Sequence, residues 1–120
     1  MPKPELEFFN VDQMAWRPVR GGVGSGVQGQ GIWEKILSRD EETEDYTRLV
    51  RFDAGVETHE AITHPFWEEV IILEGHLIDK TLNKEFTKGM YACRPPGMKH
   101  GPYRTPKGCV TFEMRYYKKG

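Results

Sequence analysis

Gly89-Met90-Tyr91-Ala92-Cys93-Arg94-Pro95-Pro96-Gly97-Met98-Lys99-His100 is the stretch on which the reading of this chain turns. Pro95 and Pro96 restrict the backbone ahead of His100, and Gly97 lets the chain pass close to whatever His100 contacts. The stretch therefore reads as a stiff loop that delivers an imidazole. A second stretch upstream is equally rich in donors. It runs Gly55-Val56-Glu57-Thr58-His59-Glu60-Ala61-Ile62-Thr63-His64-Pro65-Phe66-Trp67-Glu68-Glu69 and closes at Glu74-Gly75.

Elementary geometry relates the two. Ligands of one metal ion lie about 2 Å from it, which brings their donor atoms within about 4 Å of each other. In a straight strand His64 and Glu68 would be about 13 Å apart. The chain must bend between them, and Pro65 cannot join a central ladder. The sequence thus predicts that His64 ends one strand, Pro65-Phe66-Trp67 forms the bend, Glu68 begins the next strand, and His100 arrives from elsewhere. Alternation turns Glu69 away from Glu68, leaving Glu69 as the alternative ligand. His59 lies five residues before His64. It reaches the same site as a fourth ligand only if a bulge near Ala61 resets the alternation.

Outward from these stretches the chain is a series of short β-type runs divided by turn residues. Ile32 to Leu37 is a strand, Ser38 to Asp45 a polar turn, and Tyr46 to Phe52 the returning strand. Val70-Ile71-Ile72-Leu73 reads as a strand buried on both faces, broken by Glu74-Gly75, with His76 to Leu82 as its hairpin partner and a turn at Asn83-Lys84-Glu85. At the end, Val110, Phe112, Met114 and Tyr116 share one face, and Thr111, Glu113, Arg115 and Tyr117 the other. Many short strands predict an all-β sandwich or barrel. Arg20 to Gly31 is a Gly-rich loop over 20–31. No helix pattern follows it and no Lys-Ser/Thr closes it, so it reads as a flexible loop or lid, not a phosphate cradle.

The 120 residues suit a single domain spanning 1–120, with 38% hydrophobic and 29% charged residues. A formal net charge of −1 removes the basic excess of a nucleic-acid binder. No apolar run is long enough for a signal peptide or a membrane span. The expectation is no nucleic acid, no membrane and a cytoplasmic location, with Cys93 and Cys109 as free thiols.

The two donor-rich stretches resemble the paired motifs of the cupin superfamily. Gly89, Pro95, Gly97 and His100 match the second motif at each anchor, with Arg104 where an Asn is usual. His64, Glu68 and Gly75 match the first, whose leading histidine is replaced by Ile62. The stretch Trp67 to Gly75 and the turn Arg94-Pro95-Pro96-Gly97 are similar to the branch holding acetylacetone-cleaving dioxygenases and the zinc-binding cupin half of an anti-sigma factor. The resemblance implies a single cupin β-barrel (a double-stranded β-helix, or jelly roll) that forms a homodimer.

Two histidines and a carboxylate suit Fe(II), with open positions for oxygen and substrate, or Zn(II) with a water. The function expected is an iron(II) dioxygenase on a small diketone, hydroxyketone or aromatic ketone, with Ile62, Trp67, Tyr91 and Phe112 as the pocket wall. The alternatives are a non-oxidative isomerase, hydrolase or lyase, and a non-catalytic metal- or ligand-binding cupin. Arg94 reads equally as an ion-pair partner or as an anion clamp.

Overall fold

The chain's computed structural model describes residues 2–19 and 31–117. The Gly-rich loop falls outside these residues except for Gly31. The expected hairpin forms from β2 (Ile32–Arg39) and β3 (Tyr46–Phe52). Its polar turn is held by Asp40, whose carboxylate accepts the Glu42 and Thr43 amides. A two-residue strand, β1 (Arg17–Pro18), lies on the outer edge of β2.

On its other side β3 pairs with β9 (Cys109–Tyr116), and β9 pairs with β5 (Trp67–Asp79). The first half of β5 also carries β7 (Tyr91–Arg94). Its second half pairs with β6 (Lys84–Thr87) and β8 (Tyr103–Thr105), and β8 with β4 (Val56–Glu57). Thus β5 belongs to both walls of a β-barrel.

This corrects the reading of Glu74-Gly75 as a break. The strand runs through both residues, and a register shift between Ile72 and Glu74 lets it cross from one wall to the other. Gly75 has φ +78°, and a Cβ there would lie 2.1 Å from the Gly108 carbonyl oxygen. The hairpin partner of His76 to Asp79 is β6. The strand is not buried on both faces either: Val70 and Ile72 are buried, but Leu73 is exposed.

The apolar core gathers Ile32, Val50, Phe52, Ile72, Leu77, Tyr103 and Cys109 at one end of the barrel. Toward the other end the inward positions turn polar. Arg48 on β3, Glu68 on β5, and Thr111 and Glu113 on β9 are all buried. The alternation expected of the last strand is present, but its polar face points inward. Cys93 and Cys109 are free thiols, exposed and buried respectively. Among the described residues no helix is long and apolar enough to cross a membrane.

Candidate metal centre

His64 and His100 are brought together by the backbone. Ile62 and His100 form a two-bond antiparallel bridge, each donating its N–H to the other's carbonyl at 2.9 Å. The Gly97 amide donates to the His64 carbonyl at 3.0 Å, so the stiff loop of the second motif is tied to the first. After the bend at Pro65 and Phe66, Glu68 takes an inward position near the start of β5.

The ligand atoms of His64, Glu68 and His100 lie within 4.8 Å of one another, and all three residues are buried. His64 Nε2 is 3.1 Å from His100 Nε2 and 3.7 Å from Glu68 Oε1. Donors bound about 2.1 Å from one ion are separated by about 3.0 Å in octahedral and about 3.4 Å in tetrahedral geometry. The set fits a divalent cation.

One proton arrangement satisfies every contact around the two rings. The Phe66 carbonyl can only accept, so His64 Nδ1 carries the proton at 3.3 Å and Nε2 presents its lone pair. His100 Nε2–H then donates to His64 Nε2, Tyr103 O–H donates to His100 Nδ1 at 2.9 Å, and Arg94 donates to Tyr103 Oη at 2.8 Å. A cation held by both Nε2 atoms requires the other tautomer of His100, with Nδ1–H donating to Tyr103. Phe66 fixes His64 further, its ring stacked at 4.0 Å and 6°.

Burial, and then the Arg94 charge, hold the His100 imidazole well down, at about 4, so it is neutral at neutral pH. Burial would raise the Glu68 carboxyl, but the neighbouring His64 imidazole and the Arg94 guanidinium outweigh it and bring it to about 2. Arg94 donates to Glu68 Oε1 at 2.7 Å. The His100 imidazole is thus neutral and the Glu68 carboxylate ionised, as a metal requires of its ligands.

Beside it lies a cavity of about 40 Å³ lined by Arg48, Phe52, Ile62, Glu68, Val70, Leu77, Arg94, His100, Tyr103, Thr111 and Glu113. Of the expected wall, only Ile62 is there. The others face outward: Trp67 stacks on Tyr116, Tyr91 is 58% exposed and donates its hydroxyl to Glu69, and Phe112 sits opposite Leu49 and Ile71. The cause is alternation, because Glu68, Arg94 and Glu113 take the inward positions of those same strands. Glu69 is thereby excluded as a ligand. It faces out and also accepts from Tyr116 at 2.7 Å. His59 is exposed, apart from the three converging donors.

The residues not anticipated are Arg48, Glu113 and Thr111. Arg48 pairs with Glu113 at 3.0 Å and with Glu34 at 2.8 Å, and Thr111 donates to Glu113 at 2.9 Å. Burial raises the Glu113 carboxyl despite Arg48. The signal available was the two-residue step from Arg48 to Tyr46 and Val50, both apolar and inward.

Known proteins agree with this architecture. The structure is similar to an RmlC-like cupin from Shewanella frigidimarina, with a TM-score of 0.73 and 20% identity over 99% of this chain and 96% of that one. It is similar to an acetylacetone dioxygenase from Acinetobacter johnsonii, with a TM-score of 0.61 and 16% identity over 92% and 80% of the two chains. It is also similar to a chain of the SigE–anti-sigma ChrR complex from Rhodobacter sphaeroides, with a TM-score of 0.62 and 20% identity over 87% of this chain but 50% of that one. No curated protein matches the sequence. The family model described as the ChrR cupin-like domain matches residues 5–117, and the chain belongs to that cupin family.

Proposed function

We propose that this cupin is a metal-dependent enzyme, and that it acts as an iron(II) dioxygenase on a small diketone or hydroxyketone. The observation that carries the reading is the convergence of His64 Nε2, His100 Nε2 and one Glu68 oxygen beside a small interior cavity. Two imidazoles and a carboxylate on one side of an ion leave its other side for substrate. Iron(II) held there would supply Lewis-acid and redox chemistry.

The chain's own residues do the rest. The Phe66 carbonyl and Tyr103 hydroxyl orient the two rings. Phe52, Ile62, Val70 and Leu77 form the apolar part of the wall and limit water. A volume of about 40 Å³ favours a ligand of a few heavy atoms over an aromatic ketone.

A non-oxidative Lewis-acid reaction on zinc is the second reading. It is favoured by Glu113, a buried carboxyl of raised pKa on the cavity wall that is suited to holding a proton. A homodimer would cover the outer face of the large wall, where Leu73, Met90 and Tyr91 are exposed.

Metal analysis of protein purified without added metal, with oxygen uptake followed on small diketones and hydroxyketones, tests the reading. Iron with ketone-dependent uptake is expected. Zinc with no uptake on any ketone turns the conclusion to the second reading. His100→Ala should lower bound metal at least tenfold, and unchanged stoichiometric metal would show that the ligands are misassigned.

A further inference from the structure

We infer that the cavity is built for a substrate carrying a carboxylate, bound by Arg94 beside the metal, and thus for a small 2-oxo or 2-hydroxy acid. This rests on the metal reading above and replaces its neutral ketone with a small acid.

The two guanidiniums on the cavity wall are not equivalent. Arg48 faces two carboxylates, Glu34 and Glu113, and its charge is matched. Arg94 has a single carboxylate partner among the described residues, Glu68, and its other hydrogen bond goes to the neutral phenol of Tyr103. A guanidinium has five N–H donors, so Arg94 keeps several for a ligand.

The atom Arg94 holds is Glu68 Oε1, the same oxygen that lies 3.7 Å from His64 Nε2 in the metal cluster. A cation bound there and Arg94 must share one carboxylate between them. The remaining buried carboxylate near Tyr103, Asp79, is already committed to the Thr81 and Leu82 amides. Two positive centres flanking one buried carboxylate are balanced by a further anion in the cavity.

A carboxylate matches the planar fork of Arg94. An adjacent oxo or hydroxy oxygen would then face the metal side of the cavity. The short aliphatic remainder would meet Phe52, Ile62, Val70 and Leu77. A diketone offers the metal its oxygens but gives Arg94 no second anion to pair with.

The test compares pyruvate with hydroxyacetone, a neutral probe of nearly the same size, by calorimetry and by the absorption of the Co(II)-loaded protein. The expected result is pyruvate binding at least tenfold tighter, with a changed Co(II) spectrum. In Arg94→Gln that preference should fall to within about twofold while Co(II) stoichiometry persists. In Arg94→Lys, which keeps the charge without the fork, part of the preference should remain. Equal binding of the two probes by the native chain, or an undiminished preference in Arg94→Gln, overturns the inference. If Arg94→Gln does not fold, the native comparison and Arg94→Lys decide it. Failure of the native chain to take up Co(II) counts against the metal reading. Calorimetry then still reads the anion preference through Arg94.

Discussion

Tyr103 never touches the cation position, yet its hydroxyl joins His100 to Arg94. Groups that orient metal-bound histidines are typically worth 10–100-fold in metal affinity. Tyr103→Phe should therefore weaken metal binding at least tenfold in a chelator competition, with the barrel still folded. An affinity unchanged within twofold would show that the backbone alone positions His100. The imidazole also carries a pH signature. Its folded pKa of about 4 is depressed below the ordinary value of 6.5. The unfolded chain therefore takes up this proton first as pH falls. The corresponding stability is fully present above pH 6.5 and is lost between 6.5 and 4, roughly 2–3 kcal/mol in all. Glu68, at about 2, begins to lose its own contribution only as pH falls through the ordinary carboxylate value of 4.5. Urea midpoints of chelator-treated protein should thus fall between pH 7 and 4.5. In His100→Gln the slope over that range should shrink, and an unchanged slope would assign the loss to another group.

At the scale of the element, β5 matters most, because a single strand serves both walls of the barrel. The crossing needs a left-handed residue at position 75 and leaves no room for a side chain against Gly108. Gly75→Ala therefore combines a backbone penalty with a clash against a carbonyl, and should destabilise by about 3 kcal/mol or more. Gly97→Ala is the control. It has a similar φ of +84° but open space around it, and should cost about 1–2 kcal/mol. Equal urea midpoints for the two variants would count against the crossing as the tight point. The same strands show what a sequence reveals and what it hides. His64, Glu68 and His100 were legible because metal geometry demands a bend, and Pro65 and Pro95 to Gly97 mark where the chain bends. Alternation along β9 was legible too. Which face pointed inward was not, since the habit of turning apolar residues inward fails in a barrel whose interior holds Arg48, Thr111 and Glu113. For that reason Trp67, Tyr91 and Phe112 read as pocket wall although they stand outside it. The Gly75 crossing was hidden because a glycine after a charged residue looks the same in a turn and in a bulge.

For the molecule as a whole, the barrel's interior joins an apolar cluster to a charged region around the site, and Phe52 and Leu77 of that cluster also line the cavity there. Arg48 stands where they meet, 2% exposed, with Val50 two residues on in the apolar core. Its guanidinium bonds to Glu113 and Glu34, so one cation ties β3 to β9 on one side and to β2 on the other. Removing it would leave the buried Glu113 carboxyl without its cation, and Glu34 with Arg17 alone. Breaking a buried pair from one side typically costs 3–5 kcal/mol, because the remaining charge is stranded. Arg48→Met, close in length but neutral, should therefore destabilise by about that amount. Glu113→Gln should cost less, since burial already raises that carboxyl and its Arg48 contact can persist through the amide oxygen. Combining the two changes should recover part of the Arg48→Met loss, as no buried charge is then stranded at position 113 and Glu34 keeps its ion pair with Arg17. Urea unfolding of the three variants measures this coupling. Strict additivity would mean that the two side chains act independently, and that the charged end of the barrel is held by its strands alone.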